Sequence, residues 1–352
     1  MYKTPYEYEV NMIEQAFGKG FLEDFHQYDL DTGGEKEDIT DMFLLEYLET
    51  LMGEEKFETI KPVLISSLLN RIFLTYSFYK HGKKIFRFEK NLTEMLLKTD
   101  LNNVDAEYVK PPFTCIYMDV PFNLFTKDVN GTNYSLRGLY VYDMPVDHMD
   151  TETLDKQLGK GYIKLLRMQA IFTTEEKYED DTDSIVHNFS LRLKKGNIFE
   201  QLKDNYSRST LEDFEIELSD EMISFVVNAI LYLHSDKKVL HYIKPQYLEL
   251  LENKKSPKKR KKLERKYSNL SKLAYYQVGR DIVIDNKSNK RVNSANQSNT
   301  RETTQRKQWI VRGHWRNQAF GPGLKERKYV WVRPYIKGNE EGSLVEKNYT
   351  VK

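Results

Sequence analysis

Hydrophobic spacing changes character twice along this chain. Residues 39–53, ITDMFLLEYLETLMG, place Phe43, Leu44, Tyr47, Leu48 and Leu51 at three- and four-residue intervals, the stripe of an amphipathic helix. Thr40 suits its N-cap, Asp41 its first turn and Gly53 the residue just beyond its end. Pro62 suits the first turn of a second helix, and VLISSLLNRIFLTYSFYK, ending at Lys80 before Gly82, is apolar on nearly every side, which predicts a buried helix.

From Lys83 the period shortens. KIFRF, FTCIYMDV, SLRGLYVYDM, GYIKLLRMQAIF and NFSLRLKK are short runs rich in β-branched and aromatic residues. Between them stand the turn residues Pro111, Pro112, Pro121, Asn130, Gly131 and Pro145, so the expectation is a mixed or antiparallel sheet. SDEMISFVVNAILYLHS then returns to helical spacing, with Ser219 as expected N-cap, Asp220 and Glu221 in the first turn, and apolar residues almost all round, a helix suited to lie across the sheet. After His241 the composition breaks into a Lys/Arg-rich stretch over 253–272, one further strand in YYQVGRDIVID, and a polar stretch over 286–305 nearly free of apolar residues, expected to be disordered.

The last patterned segment holds all three tryptophans. In QWIVRGHWR, period-two alternation places Trp309, Val311, Gly313 and Trp315 on one face and Ile310, Arg312, His314 and Arg316 on the other. NQAFGPG permits a reversal, and KYVWVRPYI reads as a returning strand that Pro334 terminates. The expected fold class is therefore α+β: a helical N-terminal part, a central sheet with a buried helix, and a basic C-terminal β-hairpin. The expected divisions are a helical region over 1–82, an α+β core over 83–250, a basic and polar linker over 251–305 with a strand at 274–285, the hairpin over 306–340 and a tail over 341–352.

Charge sharpens this picture. The 352 residues sum to only +1, with 30% charged and 39% hydrophobic, but the signs are segregated. Residues 254–266, KKSPKKRKKLERK, carry nine positive charges against one negative, and residues 301–337 carry ten against two. Acid gathers elsewhere, as in EEKYEDDTD over 175–183, which lacks the ligand spacing and central glycine of a calcium loop and reads as a solvated loop. No apolar run reaches the roughly 18 residues of a membrane span and MYKTPYEYEV lacks a signal-peptide core, so the expected location is the cytoplasm, with no membrane partner. The single cysteine, Cys115, excludes an internal disulfide and reads as a buried strand thiol. His26, His81, His148, His187, His234 and His241 show no metal-ligand spacing, and no phosphate-binding loop is present, so neither metal nor cofactor is expected.

The hairpin supports two readings. Arg312, His314, Arg316, Lys325, Arg327, Lys328 and Arg333 form a basic surface suited to phosphates, with RNA or DNA as partner, while Trp315 and Trp331 either stack on bases or close a core. His314 between two arginines supplies half of a general acid–base pair for RNA cleavage, and the local sequence holds no second half. VRGHWRNQAF with the returning KYVWVRPYIKG, preceded by YYQVGRDI, NAILYLHSDKKV and PPFTCIYMDV, resembles in the same order the anti-CRISPR proteins of phages and plasmids directed against the type V-A effector nuclease, the kind that lowers production of that nuclease. The resemblance spans about residues 110–340 and is most specific at Arg312, Gly313, His314 and Trp315. It implies a non-enzymatic regulator that recognises the nascent N-terminus of the nuclease during translation, so that the message is lost. Its partners would be that nascent chain, its mRNA or the ribosome. The candidate binding residues are Arg312, Gly313, His314, Trp315, Arg316, Arg327, Lys328, Trp331 and Arg333. The alternatives are a general nucleic-acid-binding protein of phage or plasmid maintenance and a ribonuclease using His314.

Overall fold

The structure is a computed structural model and describes residues 5–32, 41–63, 68–144, 160–175, 184–206, 213–235, 240–243, 274–280, 282, 307–337 and 343–344. Thr40, the basic run 254–266, the polar stretch 286–305 and the acidic run beyond Glu175 lie outside the described residues.

Five helices come first: α1 (Pro5–Phe17), α2 (Phe21–Thr32), α3 (Asp41–Met52), α4 (Glu54–Val63) and α5 (Leu69–Lys80). Strand β1 (Lys84–Phe88) leads to α6 (Lys90–Leu97) and the two-residue β2 (Thr99–Asp100). Next come β3 (Cys115–Asp119), β4 (Thr126–Val129), β5 (Thr132–Asp143), β6 (Tyr162–Thr173) and β7 (Ser184–Lys194). Helices α7 (Ile198–Tyr206) and α8 (Asp213–His234) precede β8 (Leu240–Ile243) and β9 (Ala274–Val278). The C-terminal segment supplies β10 (Lys307–Val311), β11 (Gly313–Phe320), β12 (Glu326–Val332), β13 (Tyr335–Lys337) and β14 (Ser343–Leu344).

The fold is α+β, as the spacing predicts, around a mixed sheet ordered β7-β6-β5-β3-β1-β9-β8 with β4 added beside β5. Only β1 is paired in parallel, with β3 on one side and β9 on the other; the remaining pairs of this sheet are antiparallel. The strand expected over 274–285 is the shorter β9, which lies inside the sheet between β1 and β8 and ends at Val278, because Gly279 at φ 83° turns the chain and its carbonyl accepts the Ile282 N–H at 3.0 Å.

Both faces of the sheet are covered, which explains why its strands read as nearly continuous apolar runs. Alternate residues serve two cores. Cys115, Tyr117, Tyr140 and Tyr142 face the helical layer of α1 to α5, where they meet Phe73 and Phe78. Ile116, Met118, Leu139 and Val141 face the opposite layer, where α8 contributes Met222, Phe225, Val226 and Ile230 and the C-terminal hairpin contributes Trp315 and Trp331. Gly138, beside a register shift in β5, is required by close approach: a Cβ there would lie 2.3 Å from the Met118 carbonyl oxygen and 2.6 Å from the Tyr117 hydroxyl. Cys115 is fully buried, and burial pushes its thiol pKa well above the ordinary range, so it is inert packing.

Several local expectations shift. Pro62 sits in the last turn of α4 and does not open the next helix, because Glu54 and Glu55 in the first turn and Lys61 in the last complement the dipole of a separate helix. Near the helix end Pro62 forfeits a single ladder bond. Helix α8 begins at Asp213, so Ser219 is interior to it and does not stand at its N-cap; in the sequence Phe214, Leu218, Met222 and Phe225 extend the apolar spacing upstream. Gly53 ends α3 at φ 80°, as expected.

The helical layer is fastened by buried charge. Glu9 of α1 accepts a two-pronged contact from Arg71 of α5, including Nη2 to Oε1 at 2.8 Å, with both residues buried. Burial alone would lower the Arg71 pKa; the facing Glu9 carboxylate outweighs it and the net shift is upward. Tyr76 of α5 also donates to Asp29 of α2 at 2.7 Å, and Lys80 donates to the same carboxylate oxygen at 2.8 Å. Replacing Arg71 with Met strands Glu9 in an apolar layer, and the expected loss is about 3–5 kcal/mol in urea unfolding. The double variant Glu9→Leu/Arg71→Met is expected to recover most of that loss.

Candidate functional site

The C-terminal segment folds as a hairpin with a break. β11 and β12 pair antiparallel with Trp315 opposite Trp331, and β10 pairs with β13 further along. The reversal occurs at Gly321–Lys325, where Gly321 at φ 76° and Gly323 at φ 66° adopt the left-handed region glycine tolerates. The single strand expected through QWIVRGHWR is interrupted at Arg312, and the returning strand is interrupted at Arg333 and Pro334. Gly313 sits where the hairpin meets the body. Its N–H donates to the Lys98 carbonyl at 3.0 Å, and a Cβ on it would lie 2.6 Å from Thr99 Oγ1 and 2.7 Å from Pro334 Cδ.

The tryptophans are anchors. Trp315 is 2% exposed and Trp331 5% exposed, which decides between stacking platform and core closure in favour of the core. The Trp315 indole N–H donates to Asn228 Oδ1 at 2.7 Å, in the middle of α8. The Asn228 amide in turn donates to the carbonyls of Leu96 and Thr99, both at 3.1 Å. Trp331 donates to Thr99 Oγ1 at 3.1 Å, the Thr99 hydroxyl donates to the Met95 carbonyl at 2.8 Å, and the Trp331 ring meets Tyr232 edge-on at 5.3 Å. Every polar group in this knot has a partner, as its burial requires. Strand β2 adds a parallel pairing of Gly313 with Thr99 and His314 with Asp100.

Inward anchoring fixes what faces outward. His314 and Arg316 alternate with Gly313 and Trp315 and are exposed, with Arg316 Nη2 donating to Gln318 Oε1 at 2.7 Å. Cross-strand register places Lys328 on this same outer face, its ammonium 5.0 Å from the Phe320 ring centre. Arg327 pairs with Ala319 and lies on the tryptophan side, near the exposed tip. Arg312 and Arg333 are exposed at the two strand interruptions. The candidate cations thus share one hairpin, whose only acid between residues 307 and 337 is Glu326, but they occupy two faces and its ends.

An open cleft of about 490 Å³ runs along the far edge of β11, lined by His314, Arg316 and Asn317 with Asn103, Asp105 and Asn197 opposite and Tyr329 beneath. The Tyr329 hydroxyl donates to the Asn103 carbonyl at 2.9 Å and accepts from the Asp105 N–H at 3.2 Å; burial pushes its pKa upward. No second histidine lines this cleft. Among the described residues, no three His, Cys, Asp or Glu side chains are grouped to hold a metal ion.

Sequence spacing brings out His314, Arg316, Trp315 and Trp331. It misses Asn228, Thr99, Asn103, Asp105 and Asn197, which are distant in the chain. One signal for Asn228 is visible afterwards: it is a lone carboxamide inside the apolar run ISFVVNAILYL.

Replacing Asn228 with Ala leaves the Trp315 N–H without a partner and removes a side-chain donor from the carbonyls of Leu96 and Thr99. The expected cost is about 2–4 kcal/mol in chemical denaturation, with a red-shifted tryptophan emission. Gly313→Ala is expected to destabilise by about 1–3 kcal/mol through its clash with Thr99 and Pro334.

No helix among the described residues is long and apolar enough to cross a membrane. No curated protein sequence matches the chain. A solved structure described as the crystal structure of AcrVA2 aligns with it at 14% identity and a TM-score of 0.48, covering 93% of this chain and 96% of that one. The model of the AcrVA2-like family, anti-CRISPR type V subtype A2, matches residues 86–338, a span that runs from the central sheet to the end of the hairpin. The chain belongs to the AcrVA2-like anti-CRISPR family.

Proposed function

We propose that this protein, carried by a phage or plasmid and acting in the cytoplasm of a bacterial host, represses production of a type V-A CRISPR effector nuclease by engaging its nascent N-terminal segment and the translated message. The family match over residues 86–338 carries the reading. The hairpin supports it physically. Its anchored strands hold Arg312, His314, Arg316, Lys325, Arg327, Lys328 and Arg333 at the surface, and a dense set of cations attracts RNA phosphates or an acidic peptide at long range. Gly313, Trp315 and Trp331 act in this reading by fixing the hairpin, with binding assigned to the cations around them.

The reading is tested by co-expressing the protein with nuclease genes whose first codons are either synonymously recoded or shifted in frame. Recoding preserves the peptide and changes the RNA, whereas a frameshift does the reverse. The expected outcome is that nuclease mRNA falls severalfold with the recoded gene and is spared with the frameshifted one. Unchanged mRNA in both, with purified nuclease directly inhibited, would contradict it.

The cationic surface also favours a second reading, sequence-tolerant nucleic-acid binding. That reading expects affinity for arbitrary single-stranded RNA to fall steeply with salt, the logarithmic slope being about −0.7 per neutralised phosphate. The triple variant Arg312→Ala/Arg316→Ala/Lys328→Ala would then flatten the slope by two to three contacts.

A further inference from the structure

We infer that the edge of β11 beyond β2 is a peptide-binding site, filled by an extended polypeptide segment that adds as a strand. The inference deepens the reading above by assigning its polypeptide partner to one place, and it rests on that partner being a polypeptide.

Strand β2 covers only the first two residues of β11, pairing with Gly313 and His314. Asp100 then turns the chain away, its Oδ1 accepting the Asn102 N–H at 3.0 Å. From Asn317 to Phe320 that side of β11 has no strand beside it among the described residues, although β12 pairs the other side throughout. The direction of the unused groups follows from alternation. The Gly313 N–H points to β2, so the N–H and C=O of Asn317 and Ala319 point to the same edge. Such an edge is a ready template for an added strand.

The cleft beside the edge is shaped for that occupant. Its far wall offers the carboxamide of Asn103 and the carboxylate of Asp105, groups that pair with peptide N–H and C=O without demanding a particular side chain, while the Asn197 carboxamide is held by the Asn102 carbonyl and the Phe199 N–H and shapes that wall. The open edge, residues 317–320, spans about 13 Å when extended, so a segment of about four residues suffices. Alternate side chains of that segment fall on the outer face with Arg316 and Gln318, where Asp or Glu is favoured; the intervening ones fall beside Asp105 and Tyr329, where acid is disfavoured. The site thus selects an acid at every second position. Bases of an RNA strand would leave the row of backbone donors and acceptors unmatched.

The test uses the full chain and a displayed library of random decapeptides, followed by fluorescence anisotropy on an enriched peptide carrying one N-methyl group at a time. The expected profile alternates: methylation at every second residue weakens binding about five- to tenfold, and the residues between are tolerant. Ala319→Pro, which removes an edge-facing N–H, is expected to weaken binding to a similar extent. If that variant does not fold, the methyl scan on the unaltered protein decides. A flat scan, an empty selection, or a folded Ala319→Pro protein that binds as well as the original overturns the site. An alternating peptide that matches no stretch of the type V-A nuclease supports the site and sinks the target assigned above. A nuclease peptide that binds with a flat scan sinks the site and leaves that target standing.

Discussion

Asn228 lies in the middle of a helix that is otherwise apolar on almost every side, and three hydrogen bonds converge on its side chain. Two tie α8 to the end of α6 and the start of β2, and the third takes the indole N–H of Trp315. A buried carboxamide is costly when unpaired and specific when paired, so its partners must arrive together. The position of the hairpin therefore follows from the packing of α8 on the sheet. With Trp315 and Trp331 fixed inward, the pleat leaves His314 and Arg316 no choice but to face outward.

The same constraint explains the division of labour among the C-terminal residues. Aromatic rings and basic side chains crowd into this segment because one strand pair serves as both wall of a core and surface of the molecule. Glycine at position 313 is needed for close approach to Thr99 and Pro334, and it places the exposed Arg312 at the joint. The RGHW sequence thus mixes two positions: Gly313 and Trp315 hold the joint, and Arg312 and His314 stand at its surface.

Much of the fold is legible from spacing. The helical spacing of 41–52 and 213–234 and the strand runs that became β5 and β6 correspond to elements of that type, and the helix expected to lie across the sheet is α8. Errors cluster where local signals compete. Pro62 suits the first turn of a helix but stands in the last turn of α4, and Ser219 resembles a cap although the apolar spacing already begins at Phe214. The strand interruption at Arg312 leaves no mark in the alternation, because it is imposed by β2 and by the approach of Thr99. The candidate site is half legible. Its cations are contiguous in sequence, whereas Asn103, Asp105 and Asn197 reach the cleft through the loop after β2 and the entry to α7, which no local pattern connects to residue 314.

The claim on which these relations depend is that the hairpin is part of the core and not an appendage tethered to it. Hydrogen exchange of the indole N–H groups of Trp315 and Trp331, followed by NMR beside the backbone amides of β3 and β5, tests it directly. The expected result is that both indoles exchange only with the slowest core amides, since opening either one breaks the Asn228 and Thr99 knot. Indole exchange several orders of magnitude faster, with the sheet amides still protected, would show a hairpin that detaches independently and would contradict it.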